Sequence, residues 1–364
     1  MRQLTRGVFT AMLVPSLVWA AAPAAPAAQK PATPAKTATA PAARSNEGPV
    51  IRLHTLTQDG AEAVVAAARK AAAALESPIY KPAKTKMHIH VIGREGTLMA
   101  STQALGAWPG SADIAGRKAR TAWFFHMPTR TVGELSRPEQ AAKGPLYGIE
   151  HSNAGLITFP GGLPLTSDTG EFVGAIGVSG DTVDADEQVA KAGVAALKGL
   201  KNAVVEVPSL SDSGAQAVLA AAQAKAAELQ SPLFKRHPKM HIYVIGIEGT
   251  TLASSQENGA WPGSADIALR KARTAIFFKL PTRVIGELSR PEMKDKGPLY
   301  GIEHSNGGLI SFPGGLPLMD EAGNTIGAIG VSGDTVELDE QVAQAGVDAL
   351  KALLKKPASP AAPK

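Results

Sequence analysis

The amino-acid sequence predicts an α+β fold built from two copies of one module, and three observations lead to this prediction. First, Gly144 to Asn153 (GPLYGIEHSN) recurs unchanged as Gly297 to Asn306, and Gly174 to Thr182 (GAIGVSGDT) recurs as Gly327 to Thr335. Second, each copy has about 150 residues, which is an ordinary domain size. Third, the elements of a copy follow the order α-β-β-α-β-β-β-α, which indicates an antiparallel sheet with helices packed on it.

Hydrophobic periodicity and turn residues place these elements in the first copy. Val64, Ala68 and Ala72 recur at helical spacing before Ser77-Pro78, which ends the helix. Met87 to Ile92 alternates as a strand does. Together the patterns predict helices over 59–75, 109–125 and 181–200, a helical turn over 131–135, and strands over 87–92, 97–101, 155–159, 163–165 and 172–179.

The two ends of the chain differ in composition from the modules. Residues 1–20 combine the basic Arg2 and Arg6, an apolar stretch shorter than the roughly 18 residues that span a bilayer, and small residues at the cleavage-determining positions of Val18-Trp19-Ala20, as in a secretory signal peptide. Residues 21–48 are mostly Ala, Pro, Thr, Lys and Ser, which predicts a disordered linker. The expected organisation is a signal peptide (1–20), a linker (21–48), module 1 (49–200), module 2 (202–355) and a disordered tail (356–364), in the periplasm or outside the cell.

Charge and cysteine content exclude several classes of function. The net charge is +5, but residues 1–48 carry five basic residues and one acid, and the tail from Lys355 adds three lysines, so residues 49–354 have a net charge of −2. A nucleic-acid-binding domain would carry a basic face on the fold itself, so no nucleic-acid partner is expected. The chain has no cysteine, which excludes disulfides, thiolate nucleophiles and cysteine metal sites.

The order of motifs in each copy resembles the GlcG/HbpS family. The motifs are the GPLYGIE-x-SN-x-GL segment, the F-x-GG-L-P-L segment, GAIGVSG, and an acidic D-x-x-V-A-x-A-G helix. The carboxy-terminal part of the PduO-type corrinoid adenosyltransferases is similar too. The resemblance covers nearly all of each copy, residues 56–200 and 210–354, although family members usually have a single domain.

The resemblance implies a profilin-like α/β/α fold with a five-stranded antiparallel sheet in each module. It also implies haem as the cofactor and assembly into oligomers, here as a homo-oligomer or as a pseudo-symmetric pairing of the two modules. The first hypothesis is therefore an exported haem-binding protein that buffers, carries or senses haem, or assists a redox system. The alternatives are a binding module for a corrinoid or a small organic acid, an enzyme that uses His151 or His304 as general base, and a purely structural oligomer.

The haem-ligand candidates are taken from the residues themselves, since the resemblance fixes no ligand position. Haem iron accepts His or Tyr from a protein. His151 and His304 lie in the repeated GIEHSN segments, with Tyr147 and Tyr300 nearby and with Glu150 and Glu303 adjacent as carboxylates that could orient the imidazoles. The structural alternative is a loop in which His, Ser and Asn cap backbone groups.

Two further sets of residues are candidates for the same site. His88 and His241 lie on the first strand of the sheet, either as haem ligands or on a half-exposed strand face. The predicted second helix carries cations that could pair with haem propionates or form a solvated face beside Asp113 and Asp266. These cations are Arg117, Lys118, Arg120, Arg270, Lys271 and Arg273. Trp108 and Trp261 precede this helix and are expected in a core, an interface or a pocket wall.

Overall fold

The computed structural model describes residues 48–137, 143–290 and 296–355. The predicted signal peptide, almost all of the predicted linker and the predicted tail lie outside these ranges. No helix in the described part of the chain is both long and apolar enough to cross a membrane.

The described residues of module 1 form five strands and four α-helices. The strands are β1 (Val50–Leu56), β2 (His88–Gly93), β3 (Leu98–Gln103), β4 (Gly162–Thr166) and β5 (Phe172–Ser179). The helices are α1 (Gln58–Ala74), α2 (Gly110–Phe125), α3 (Thr129–Ser136) and α4 (Val183–Ala195), with a 3-10 turn at Ile149–His151. Thr57 and Thr182 cap α1 and α4 through their hydroxyl oxygens, which accept from backbone N–H groups in the first turn.

Module 2 repeats this order. Its strands are β6 (Val204–Leu210), β7 (His241–Gly246), β8 (Thr251–Gln256), β9 (Gly315–Met319) and β10 (Thr325–Ser332). Its helices are α5 (Asp212–Glu228), α6 (Pro262–Phe278), α7 (Thr282–Ser289) and α8 (Val336–Leu354), with a 3-10 turn at Ile302–His304.

Each module has a four-stranded antiparallel sheet, in the order β3-β2-β5-β4 in module 1 and β8-β7-β10-β9 in module 2. The α+β class and the duplicated sheet-and-helix architecture are confirmed, but each sheet has four strands where five were expected. The strand predicted over 155–159 does not form. Asn153, Ala154 and Gly155 all have positive φ values (50°, 61° and 95°), which an extended strand cannot contain.

The remaining strands, β1 and β6, pair with each other and join the two modules. Val50 lies opposite Leu210 and Leu56 lies opposite Val204 in an antiparallel register. Leu56 and Val204 pack on the core of module 1, whereas Leu210 and Val50 pack on the core of module 2. The pair Val50–Leu210 is therefore equivalent to the pair Val204–Leu56, so each module contributes the same strand in the same register. This is the pseudo-symmetric pairing expected of a duplicated chain.

A largely buried ion pair also joins the modules. Arg94, between β2 and β3, has its Nε 2.6 Å from Oε1 of Glu248 in the corresponding turn of module 2. This pair has no counterpart at the equivalent place, because Ile247 occupies in module 2 the position of Arg94.

The two faces of each sheet are packed differently. In module 1, α1 and α4 cover one face, where Val64 and Val189 of these helices pack with Ile176 of β5. On the other face α2 approaches β5 so closely that a Cβ at Gly177 would lie 2.0 Å from the Ala115 carbonyl oxygen. Gly177 of the GAIGVSG motif thus permits close helix-to-sheet contact.

Candidate functional site

The GPLYGIEHSN segment of module 1 is a loop fastened to α3. The Gly144 amide donates to the Ser136 carbonyl at 2.7 Å, and the Leu146 amide donates to the Leu135 carbonyl at 2.9 Å. The amide of Leu156 donates back to the Glu150 carbonyl at 2.9 Å. These bonds fix the backbone on both sides of the 3-10 turn that carries His151.

The Glu150 side chain faces inward and holds the loop. The Ser136 hydroxyl donates to its Oε1 at 2.6 Å and the Thr158 hydroxyl donates at 3.3 Å. The Ser136 bond is the largest cause that lowers the pKa of Glu150, and Arg137, whose Nε lies 3.6 Å away, adds to it. The carboxylate therefore serves to anchor the loop on α3.

Tyr147 and His151 face outward from this anchored loop. The Tyr147 side chain is 46% exposed. The Arg137 guanidinium carbon lies 5.1 Å from the centre of its ring, and the Lys143 ammonium lies 4.9 Å from it. The loop thus presents a phenol beside two cations and, four residues further along the chain, an exposed imidazole. Arg137 and Lys143 were not among the sequence candidates, because neither lies in the repeated decapeptide.

Module 2 builds the same arrangement. Ser289 and Ser311 donate to Glu303 at 2.7 and 2.8 Å. Burial by itself would raise the pKa of Glu303, but these bonds outweigh it and the pKa is lowered. Tyr300 is 47% exposed, and His304 is also exposed. Arg290 and Lys296 lie 5.2 and 5.1 Å from the Tyr300 ring centre.

Arg117 and Arg270 lie beside the loops but are engaged with protein groups. Arg117 pairs with Asp113 at 2.8 Å and donates to the Ala154 carbonyl at 3.3 Å. Arg270 pairs with Asp266 at 2.7 Å and donates to the Gly307 and Gly308 carbonyls. These residues tie the end of each loop to its helix.

Arg120 and Arg273 are exposed on the same helices, α2 and α6. The guanidinium carbon of Arg120 lies 5.7 Å from the Phe124 ring centre. The two arginines are therefore available to a ligand, whereas Arg117 and Arg270 already have partners.

Lys118 and Lys271 were candidates for pairing with haem propionates, with a solvated helix face as the alternative, and the solvated face is wrong for these two lysines. Both are fully buried, and each donates to a buried aspartate: Lys118 to Asp186 at 2.7 Å and Lys271 to Asp339 at 2.6 Å. Burial lowers the pKa of both lysines and raises the pKa of both aspartates to about 6. The pairs join α2 to α4 and α6 to α8, and they are structural.

His88 and His241 were candidate haem ligands, with a half-exposed strand face as the alternative, and they too are buried. His88 is 4% exposed and His241 is 3% exposed. The Nε2 atom of His241 lies at hydrogen-bond distance, 3.1 Å, from the Trp261 carbonyl oxygen. An axial ligand must reach a porphyrin face, and buried imidazoles under a helix are poorly placed for that.

The two tryptophans that precede α2 and α6 are about half exposed. Trp108 packs edge-on against Tyr80 with 5.8 Å between ring centres, and Trp261 packs edge-on against Phe234 at 5.3 Å.

Within the described ranges, no group of three or more His, Cys, Asp or Glu residues is arranged to hold a metal ion.

Two matched regions show the family of this chain. The family model described as haem degrading protein HbpS-like matches residues 56–195 and 210–348, which together are more than half of the sequence. The chain therefore belongs to the HbpS-like family and contains two of its modules in tandem.

Curated relatives match one module's length of the chain. A 15.0 kDa protein from the dhaT-dhaS intergenic region of Citrobacter freundii is 32% identical over 149 residues, which are 41% of this chain and 96% of that protein. The corrinoid adenosyltransferase PduO of Salmonella typhimurium is 30% identical over 131 residues, 36% of this chain and 35% of the enzyme. The match thus spans about a third of the adenosyltransferase.

The solved structures also match about one module's length of the chain. The ORFY protein of Klebsiella pneumoniae has 33% identity and a TM-score of 0.35, over 39% of this chain and 91% of that chain. HbpS has 33% identity and a TM-score of 0.32, over 39% and 90%. A complex of PduOC with heme has 26% identity and a TM-score of 0.34, over 39% and 94%.

Proposed function

We propose that this protein binds haem at its two GPLYGIEHSN loops, one haem for each module, and that it buffers, carries or senses haem without a reaction of its own. The observation that carries this proposal is the surface array of Tyr147, His151, Arg137 and Lys143. The same array occurs in module 2 as Tyr300, His304, Arg290 and Lys296. The family description, which names haem, supports the choice of ligand.

The donor set fits the chemistry of haem. Neutral imidazole and phenolate are both ligands that haem iron takes from proteins, and the chain has no cysteine to compete with them. The propionates are carboxylates, for which Arg and Lys are natural partners. When bound, haem would supply an iron that His151 or Tyr147 ligates, while Arg137 and Lys143 hold the propionates and Glu150 keeps the loop in place.

The experiment is a haem titration of the purified chain followed by absorbance. We expect a Soret band that saturates near two haems per chain. The double variant His151→Ala/His304→Ala or the double variant Tyr147→Phe/Tyr300→Phe should lose this band, and the one that loses it identifies the axial ligand. His237→Ala, an exposed histidine outside both loops, is the matched control and should leave the titration unchanged. The absence of a saturable band, or a band unaffected by both double variants, would overturn the proposal.

The cations are tested separately from the iron ligand. Replacing Arg137, Lys143, Arg290 and Lys296 with glutamine should weaken haem binding while the absorption maximum stays in place. Exposed ion pairs contribute roughly 0.5–1 kcal/mol each, so each loop should lose about twofold to fivefold in affinity for every cation removed. The loss should shrink at high salt, since exposed charges are screened. An unchanged affinity would exclude these residues as partners of the haem propionates.

We also propose that the chain is exported. Residues 1–20 support this proposal, because they have the charged start, apolar stretch and small residues of a signal peptide. Expression with the leader followed by amino-terminal sequencing of the periplasmic or secreted protein should give a chain that begins after Ala20. Retention of residues 1–20 on the mature protein would contradict export by this route.

A further inference from the structure

Four polar side chains form a patch on the α2 side of the module 1 sheet. His88 and His90 alternate on β2, so they share one face, and the register places His88 opposite Gln103 and His90 opposite Ser101 on β3. Directly opposite residues of antiparallel strands have Cβ atoms about 4.5–5.5 Å apart. The four side chains therefore form a two-by-two set of two imidazoles, an amide and a hydroxyl.

This patch is covered at one end and open at the other. His88 is buried, His90 is half-buried, and Ser101 and Gln103 on the edge strand are exposed. Gly116 of α2 lies over His90, where an added Cβ would be 3.4 Å from the imidazole Nδ1. A small ligand can thus enter from the β3 edge and reach the imidazoles without displacing an α2 side chain at this position.

Module 2 has the same patch in a filled form. Tyr243 replaces His90, and Leu269 replaces Gly116 on the covering helix. The His241 Nε2 atom is engaged with the Trp261 carbonyl, whereas the His88 Nε2 atom is buried without a hydrogen-bond partner in the described structure. A buried ring nitrogen that lacks a partner is costly, and its presence indicates a group that supplies one.

We propose that module 1, and not module 2, binds a Cu²⁺-class transition-metal ion through His88 and His90, with Gln103 and Ser101 on the oxygen side of the ion. Sets of two nitrogen and two oxygen donors in a tetragonal arrangement favour Cu²⁺ and Ni²⁺, and Cu²⁺ binds such sites most tightly of the common divalent ions. The site uses two imidazoles completed by neutral oxygens, so it differs from the clusters of three or more His, Cys, Asp or Glu that are missing from the described ranges.

The four side chains of the copper site lie on β2 and β3. His90 is half-buried, and Gly116 leaves room beside its ring. Neutral imidazole is the form that ligates a metal. None of these residues belongs to the GPLYGIEHSN loops, so the copper site and the haem site can fail independently.

The test is equilibrium dialysis of the full chain against Cu²⁺ with glycine as competitor, together with electron paramagnetic resonance. Wild type should hold one Cu²⁺ per chain with hyperfine structure from two imidazole nitrogens. His90→Tyr, which installs the residue of module 2, should weaken binding at least about tenfold. His151→Ala/His304→Ala should bind copper as wild type does. Thermal unfolding of each variant verifies that it is folded.

A converse variant keeps the proposal falsifiable if His90→Tyr perturbs the fold. Tyr243→His/Leu269→Gly rebuilds the module 1 patch in module 2 and should raise the stoichiometry to two Cu²⁺ per chain. Copper that binds His90→Tyr as tightly as wild type would be an adventitious ion only, and this result would overturn the proposal. No gain in the converse variant, together with an unchanged spectrum in His90→Tyr, would overturn it as well.

Discussion

The hydroxyl of Ser136, the last residue of α3, donates a 2.6 Å hydrogen bond to the carboxylate of Glu150, and this bond joins the helix to the loop that presents His151. Ser289 and Glu303 repeat it in module 2 at 2.7 Å. The repeated decapeptide thus divides into inward residues that hold the loop and outward residues that are free to meet a ligand.

Removal of the serine anchor should loosen both loops. Ser136→Ala/Ser289→Ala leaves each carboxylate without its strongest donor, and a hydrogen bond to a charged group contributes about 1.5–3 kcal/mol. We expect a lower midpoint of thermal unfolding and weaker haem binding with an unchanged Soret maximum. Ser254→Ala, an exposed serine of β8, is the control. If the double variant unfolds and binds as the control does, the anchoring role is excluded.

The stabilisation that Glu150 and Glu303 give to the loops should be lost in acid. The pKa of Glu150 and that of Glu303 are below the ordinary value of 4.5, so the stabilisation they provide is complete above that pH and is lost as the pH falls through the folded-state pKa. The difference in unfolding free energy between wild type and Ser136→Ala/Ser289→Ala should therefore be constant from pH 5 to 7, because the pKa values of both glutamates lie below this range. It should shrink below about pH 4.5, as measured by urea denaturation. A difference that grows in acid would contradict the assigned direction of the pKa shifts.

The buried lysine should be needed for folding stability rather than for ligand binding. Lys118→Met leaves Asp186 buried without its partner, and the loss of one member of a buried ion pair costs about 3–5 kcal/mol. The pKa of Asp186 is already raised to about 6, so protonation of the aspartate should place the cost near the lower end of that range. Chemical denaturation measures the loss, and Lys70→Met on the exposed side of α1 is the comparison. A change under 1 kcal/mol, well outside the expected range, would show that the pair is dispensable.

The glycines beneath α2 and α6 should not tolerate a methyl group. A Cβ at Gly177 or Gly330 would lie 2.0 Å from a helix carbonyl oxygen, of Ala115 or Ala268 respectively. Overpacking of this kind costs about 1–3 kcal/mol, so Gly177→Ala should destabilise module 1 by at least that amount. Gly263→Ala, where no atom lies within 4 Å of the new methyl group, should be neutral or slightly stabilising. Equal stability of the two variants would refute the close-contact explanation of the motif.

Much of the fold follows from local patterns. Val64, Ala68 and Ala72 face one side of a helix because their spacing matches its turn, and α1 begins at Gln58, one residue from the predicted start. The first strand escaped prediction because β1 pairs only with β6 of the other module among the described strands, so no hairpin or turn marks it in the sequence. The false strand at 155–159 arose because its apolar run is that of a loop packed against α2, where the Ile157 amide donates to the Thr121 hydroxyl.

The candidate site, like the fold, was predicted from the sequence only in part. The repeat singled out Tyr147, Glu150 and His151, since unchanged residues in both copies mark the loop. Sequence reasoning missed Arg137 and Lys143, which meet at the Tyr147 ring although neither belongs to the repeated decapeptide. It also left Lys118 as either a propionate partner or part of a solvated face, because a lysine next to two arginines on a helix has the pattern of a charged face.

By itself, the sequence determined the duplication, the α+β class, the family and the loop that carries the candidate ligands, because these depend on the order and spacing of residues along the chain. Only the tertiary structure decided which charges are buried, which histidines face outward, and how β1 and β6 pair with each other between the modules. These properties depend on contacts between residues far apart in sequence: Lys118 is buried because Asp186, 68 positions away, lies against it in the fold. A linear pattern carries no record of such a partner.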